Sequence, residues 1–184
     1  MTILYRIWKP AEYKDLIISP QQVINEHAPT YKLLLPLLTH PKGLYSMARQ
    51  PYLRVRDTPD KLDAETYGIK SLKFYKGKAE IEKQLVKNFR GGPGFPVFAN
   101  CHMFGLTDSK ACRATPQNLY VRVCPLKRRQ DPQNHAVVIT GIHITAENRV
   151  SVQIKNSWGE WGVDKKGHTW VTADFIRRIC VPKM

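Results

Sequence analysis

Long apolar runs are missing from this chain. The longest, residues 33–38, is interrupted by Pro36 and is far too short to cross a bilayer, so no transmembrane helix is expected. The N-terminus, Met1-Thr2-Ile3-Leu4-Tyr5-Arg6-Ile7-Trp8-Lys9-Pro10, lacks the apolar core and small-residue cleavage site of a secretory signal. As written, the chain is expected in the cytoplasm. Cysteine is scarce: Cys101, Cys112, Cys124 and Cys180 form no C-x-x-C pair, which argues against a zinc site, and no cofactor or metal signature appears elsewhere. Reduced thiols are the default without a signal peptide, and disulfides are open to the four only in an oxidising compartment.

Acidic residues are also few, 15 against 29 lysines and arginines, giving a net charge of +14. That excess suits anionic partners such as nucleic acid, acidic proteins or membrane surfaces. The distribution weakens the nucleic-acid reading. The densest cluster is Lys127-Arg128-Arg129, with pairs at Lys165-Lys166 and Arg177-Arg178, and there is no basic tail or aromatic–basic module. A solvated basic surface therefore ranks above dedicated nucleic-acid binding.

What is present is an ordinary globular load, 42% hydrophobic and 10% aromatic over 184 residues, enough for one domain or one domain of two lobes. Ser19-Pro20-Gln21-Gln22 reads as a capped helix start carrying Val23 and Ile24 toward a core. Leu33, Leu34, Leu37 and Leu38 recur at helical spacing until His40-Pro41, with Lys42-Gly43 as the stop. The polar, irregular stretch 54–70 is the expected boundary between lobes. Residues 78–89 form the clearest helix, with Ile81, Leu85, Val86 and Phe89 on one face, ended by Gly91-Gly92-Pro93-Gly94. Strands are then expected at 96–99, 119–123, 136–144, 150–155 and 169–172. One helix followed by several strands, without regular alternation, predicts an α+β class with an antiparallel sheet or open barrel.

The chemistry-bearing feature is a pair of segments. Asn134-His135-Ala136-Val137-Val138 opens one predicted strand, and Gln153-Ile154-Lys155-Asn156-Ser157-Trp158-Gly159-Glu160-Trp161-Gly162 closes the next, across a turn near Glu147-Asn148. A hairpin brings His135 beside Asn156. A strand-mouth histidine serves as base and acid when an amide fixes its tautomer and an indole shields the hydrogen bond from water. Taken alone, such a pair is a weak signal, since a lone histidine at a strand edge is more often a hydrogen-bonded structural residue than a catalytic one.

His-Ala-Val followed by Lys-Asn-Ser-Trp-Gly-x-Trp-Gly closely resembles the histidine and asparagine regions of papain-like cysteine peptidases. The likeness runs back along the chain. Leu16-Ile17-Ile18-Ser19-Pro20-Gln21-Gln22 is similar to the family's leucine-rich segment with Ser-Glu-Gln-Glu, Lys42-Gly43-Leu44-Tyr45 with Gln50-Pro51-Tyr52 to its glycine-leucine to tyrosine-proline-tyrosine stretch, and Glu80 onward through Gly94, Pro96 and Val97 to its helix, turn and first barrel strand. The resemblance implies a two-lobe fold, with 1–70 the remnant of a helical lobe and 71–184 a β-rich lobe carrying the histidine and asparagine. It also implies peptide-bond hydrolysis through a thioester, with His135 as catalytic base and Asn156 as its orienting amide. Trp158 and Ser157 would support that pair, Trp161 would line the leaving-group side of the cleft, and Asn100 and Gln133 would fall near the side-chain specificity pocket.

Departures from the family pattern matter as much. Counting back from Ser19 puts the family's nucleophilic cysteine before Met1, with Leu4-Tyr5-Arg6-Ile7 as the tail of its helix, so no nucleophile is expected in this chain. Cys101, Cys112 and Cys124 match sheet or loop positions on the wrong lobe, with Cys101 following the first barrel strand. Cys180 sits where the family often places a bridging cysteine, with Cys124 as partner, while buried reduced thiols remain equally compatible. The family's Cys-Asn-Gly-Gly loop has no counterpart at residues 28–35, and the Trp158-to-Trp161 loop is one residue short. Three readings follow: a peptidase whose nucleophile lies outside these residues, a pseudopeptidase acting as a protein-binding module, and, ranked last, a nucleic-acid-associated protein. The partner is expected to be a peptide or protein, including an acidic protein, and not a membrane. The family's usual secreted, lysosomal or vacuolar setting is the alternative to the cytoplasm.

Overall fold

Alternation of apolar and polar side chains over residues 150–155, preceded by the apolar run 136–139 and a short polar turn, suits a half-buried antiparallel hairpin. The computed structural model contains that hairpin. It describes residues 9–19, 38–39, 43–50, 53, 65–90, 94–102, 106, 115–117, 134–162 and 164–183. The expected helix after Ser19, the leucines before Leu38, the turn residues Gly91-Gly92-Pro93, the strand at 119–123, and Gln133, Cys112 and Cys124 lie outside the described residues.

The chain divides into two compact units. The first, Met1–Lys73 with Pro182–Met184, contains a four-residue helix α1 (Pro10–Tyr13) that starts on a proline, where the missing N–H costs nothing. It also contains three isolated bridges, Ile18 to Ser46, Thr39 to Ile69, and Leu44 to Tyr67. The last is reciprocal, with Leu44 N–H donating to the Tyr67 carbonyl at 2.9 Å and Tyr67 N–H donating back at 2.7 Å. Ile18, Leu44 and Ile69 are buried around these bridges.

The second unit, Phe74–Val181, holds the principal core. The sheet is built from β1 (Ser71–Lys76), β2 (Val97–His102), β3 (Asn134–Ile144), β4 (Val150–Lys155), β5 (His168–Thr172) and β6 (Ile176–Lys183). Their order is β1-β6-β2-β3-β4-β5, and the β6–β2, β2–β3, β3–β4 and β4–β5 pairings are antiparallel. Val97, Ala99 and Cys101 of β2, Val137 and Ile139 of β3, and Val152 and Ile154 of β4 form the inner face of the core. Helix α2 (Lys78–Arg90) packs Ile81 and Leu85, both 0% exposed, against β3 and the 3₁₀ turn Ala173–Phe175. Glu80 in its first turn and Lys87 and Arg90 in its last complement the helix dipole. Asn88 Nδ2 donates to the Phe95 carbonyl at 2.6 Å and ties the helix to the entry of β2.

Two strands were not visible in the alternation pattern. In β1 no residue is fully buried, so its sequence shows no clean period of two. In β6 the period is broken by the doublet Arg177-Arg178 between the buried Ile176 and Ile179. A register shift explains it: Asn100 pairs with Arg178 but Cys101 pairs with Ile176, leaving Arg177 as the extra residue of a bulge. Cys101 does not follow the strand expected at 96–99 but lies within it, since β2 continues to His102 and sets Cys101 opposite His135. Among the described residues, no helix is long and apolar enough to cross a membrane.

Leu85→Ala removes a wholly buried side chain from the helix–sheet contact. It is expected to lower stability by about 2–5 kcal/mol, read as a fall in the urea midpoint at unchanged slope. A loss under about 1 kcal/mol would place Leu85 outside the core.

Candidate active site

His135 is the second residue of β3, and Asn156 follows the last residue of β4. The β3–β4 register pairs Val138 with Lys155, so the mouth of the hairpin sets the two side chains on the same inner edge. Asn156 is 4% exposed, and its backbone N–H donates to the Gly167 carbonyl at 2.8 Å, continuing the β4–β5 ladder one step further.

The hydrogen bonds around Asn156 determine the chemistry of His135. The Ser157 backbone N–H lies 2.7 Å from Asn156 Oδ1, and a main-chain N–H can only donate, so that atom is the amide oxygen. His135 Nε2 lies 2.8 Å from the same oxygen. An oxygen that accepts only leaves Nε2 as the donor. The neutral imidazole therefore carries its proton on Nε2 and its lone pair on Nδ1. Among the described residues, Nδ1 has no hydrogen-bond partner. Asn156 Nδ2 is buried and has no hydrogen-bond partner among the described residues.

Two indoles flank the pair. Trp158 lies 4.9 Å from the His135 ring, centroid to centroid, at 39°, and Trp161 meets Trp158 edge-on at 5.8 Å. With only Gly159 and Glu160 between them, the tryptophans sit on one tight turn closed by Trp161 N–H to the Trp158 carbonyl at 3.4 Å. The turn brings the two indoles into edge-to-face contact.

The segment after Trp161 is folded onto an aspartate. Asp164 Oδ1 accepts from the backbone N–H groups of Lys166 (2.8 Å) and His168 (3.1 Å), while Oδ2 lies 2.6 Å from His168 Nδ1. Desolvation pushes the Asp164 carboxyl upward, but the Lys166 and His168 backbone donors and then the His168 ring outweigh it, and its pKa falls to about 2. Glycine is obligatory at two places in this loop. A Cβ on Gly162 would overlap the His168 backbone, and one on Gly167 would lie 2.7 Å from the Asn156 carbonyl oxygen, both at positive φ. Sequence reasoning missed this cluster. The available signal was the Asx-turn pattern, an aspartate whose side chain caps the N–H two residues on.

The remaining site residues are placed as follows. Asn100 lies on β2 between Arg178 of β6 and Ala136 of β3, and lines a separate cavity. Gln133 lies outside the described residues. Cys101 is 0% exposed, and its thiol faces the His135 backbone carbonyl at 3.6 Å. Cys180 is a buried thiol, free among the described residues, that burial pushes up to about 11, against a smaller downward pull from Arg178. Among the described residues no group of His, Cys, Asp and Glu side chains has a metal-holding arrangement.

Solved cysteine proteases share this fold. The Amb a 11 cysteine protease, a major ragweed pollen allergen, in its proform, superposes with a TM-score of 0.65 at 17% identity over 100% of this chain and 57% of that one. Bromelain from Ananas comosus, in complex with the E64 inhibitor, gives 0.64 at 17% identity over 100% and 85%. The recombinant stem bromelain precursor gives 0.63 at 18% identity over 100% and 60%. The chain thus spans little more than half of the two precursor forms. No family model and no curated relative matches the sequence. The likeness shows a papain-like fold, mostly antiparallel sheet with few helices.

The lowered carboxyl of Asp164 sets a pH dependence. A depressed folded pKa contributes stability that is present above the ordinary value of 3.8 and is lost as pH falls through about 2. The stability gap between the parent chain and Asp164→Asn is therefore expected to be constant above about pH 4 and to shrink between pH 4 and 2. Denaturant titrations of both proteins across that range measure it, and a gap independent of pH would contradict the loop geometry.

Proposed function

We propose that residues 1–184 carry the imidazole–amide half of a cysteine-peptidase centre on a papain-like two-lobe fold, and do not cleave peptide bonds on their own. The observation that carries the reading is Asn156 Oδ1, which accepts from Ser157 N–H and His135 Nε2 together and so leaves Nδ1 as the base. In such a centre Nδ1 takes the proton of a neighbouring thiol. The thiolate attacks the peptide carbonyl carbon, and the imidazolium returns its proton to the leaving amine as the C–N bond breaks. Water, deprotonated by the same nitrogen, then releases the acid from the thioester.

Among the described residues neither thiol suits the attack. Cys101 is sealed in the core with its sulfur against a main-chain carbonyl. Cys180 stays protonated at neutral pH, its pKa lying at about 11. The nucleophile in this reading comes from residues other than these two. The same two inert thiols favour a second reading, a non-cleaving module that binds peptides or acidic proteins on the peptidase scaffold.

The purified 184-residue chain is expected to hydrolyse peptide substrates no faster than buffer. After exposure to E64 it is expected to keep its unmodified intact mass. Turnover abolished by Cys101→Ser, or an E64 adduct on Cys101, would overturn the proposal.

A further inference from the structure

Consecutive residues of a regular strand point to opposite faces, so two adjacent arginines cannot normally line one cavity. The bulge in β6 removes that restriction. Because Arg177 is the extra residue opposite the Asn100–Cys101 step, Ile176 and Ile179 both face the core while Arg177 and Arg178 are both left outside it. The two arginines line, with Lys76 of β1 and Asn100 of β2, a cavity of about 320 Å³. Among the described residues its wall contains three cations and no carboxylate, and neither Lys76 nor Arg178 is ion-paired.

The sheet register gives the cavity a position relative to the imidazole. Arg178, Asn100 and Ala136 are Cα partners across three adjacent strands, and Ala136 follows His135 in the chain. At about 5 Å per strand, Arg178 lies about 10 Å from the start of β3, roughly three residues of extended peptide. Phe98, 43% exposed, lies two residues before Asn100 on the same outer face and offers apolar surface beside the charges. Arginine forks and a neutral amide donor match the planar oxygens of a carboxylate. The cavity is a half-open recess and not the extended basic stripe that a nucleic-acid backbone needs.

We propose that this cavity receives an acidic side chain, aspartate or glutamate, of a peptide lying along the outer face of β2 and β3 toward the strand end that bears His135, whose own side chain lies at the inner edge of that end. The proposal rests on the reading of the His135 centre as a peptide-handling site. It names the chemical class of peptide that the chain selects.

The test uses the 184-residue chain and two sets of acetylated, amidated alanine hexapeptides, one with a single glutamate at each position in turn and one with glutamine at the same positions. Binding is followed by NMR on the Asn100 side-chain amide and the His135 ring. At least one glutamate peptide is expected to bind about tenfold more tightly than its glutamine match, shifting both reporters. Arg178→Gln is expected to abolish the preference, Arg178→Lys to retain part of it, and raised salt to weaken it. Equal affinity of the matched peptides, or a preference that survives Arg178→Gln, overturns the acidic cavity. His135 shifts without Asn100 shifts would sink the cavity and leave the peptide-handling centre standing. Asn100 shifts with selectivity but no response at His135 would keep the anion cavity and overturn its link to the centre. A single-stranded oligonucleotide that binds through Arg178 while no glutamate peptide shows a preference overturns the peptide assignment.

Discussion

One carboxamide oxygen organises the candidate centre. Asn156 Oδ1 is held by the Ser157 N–H, a donor that cannot reverse its role, and this leaves the His135 ring a single way to bond to it. The proton sits on Nε2 and the lone pair on Nδ1. The arrangement leaves Asn156 Nδ2 buried without a partner among the described residues.

The loop that follows exists to keep that oxygen in place. Asn156 N–H is anchored on the Gly167 carbonyl, and Gly167 N–H returns to the Trp161 carbonyl, so the β4–β5 ladder continues past the strands and fastens both ends of the tryptophan turn. Gly162 and Gly167 permit backbone approaches that no side chain would allow. Asp164 then gathers three donors within five residues and keeps the return path closed. Trp158 is thereby held against the His135 ring and Trp161 against Trp158, both packed on the edge of the main core.

The approach of His135 to Asn156 was legible in the sequence because the two stand at the mouth of a hairpin whose strands β3 and β4 are apolar and readable, whereas Trp158 and Trp161 were named from the family resemblance. Helix α2 was legible as well, since Ile81, Leu85, Val86 and Phe89 keep one apolar stripe. What escaped lacks such periodicity. No residue of β1 is fully buried, and β6 contains a bulge that puts Arg177 and Arg178 together where alternation would separate them. Cys101 was misplaced because Pro96-Val97-Phe98-Ala99 looks complete as a strand, whereas pairing with β3 carries it on through His102. The Asp164 cluster is fixed by backbone donors, which a list of side chains does not reveal.

The account holds that the histidine is committed to one tautomer by a neighbouring main-chain amide. Long-range proton–nitrogen correlation spectra of the ¹⁵N-labelled chain, at a pH where the His135 ring is neutral, read this directly. The account requires the ring proton on Nε2 and an unprotonated Nδ1. A proton on Nδ1, or a mixture of the two tautomers, would contradict it.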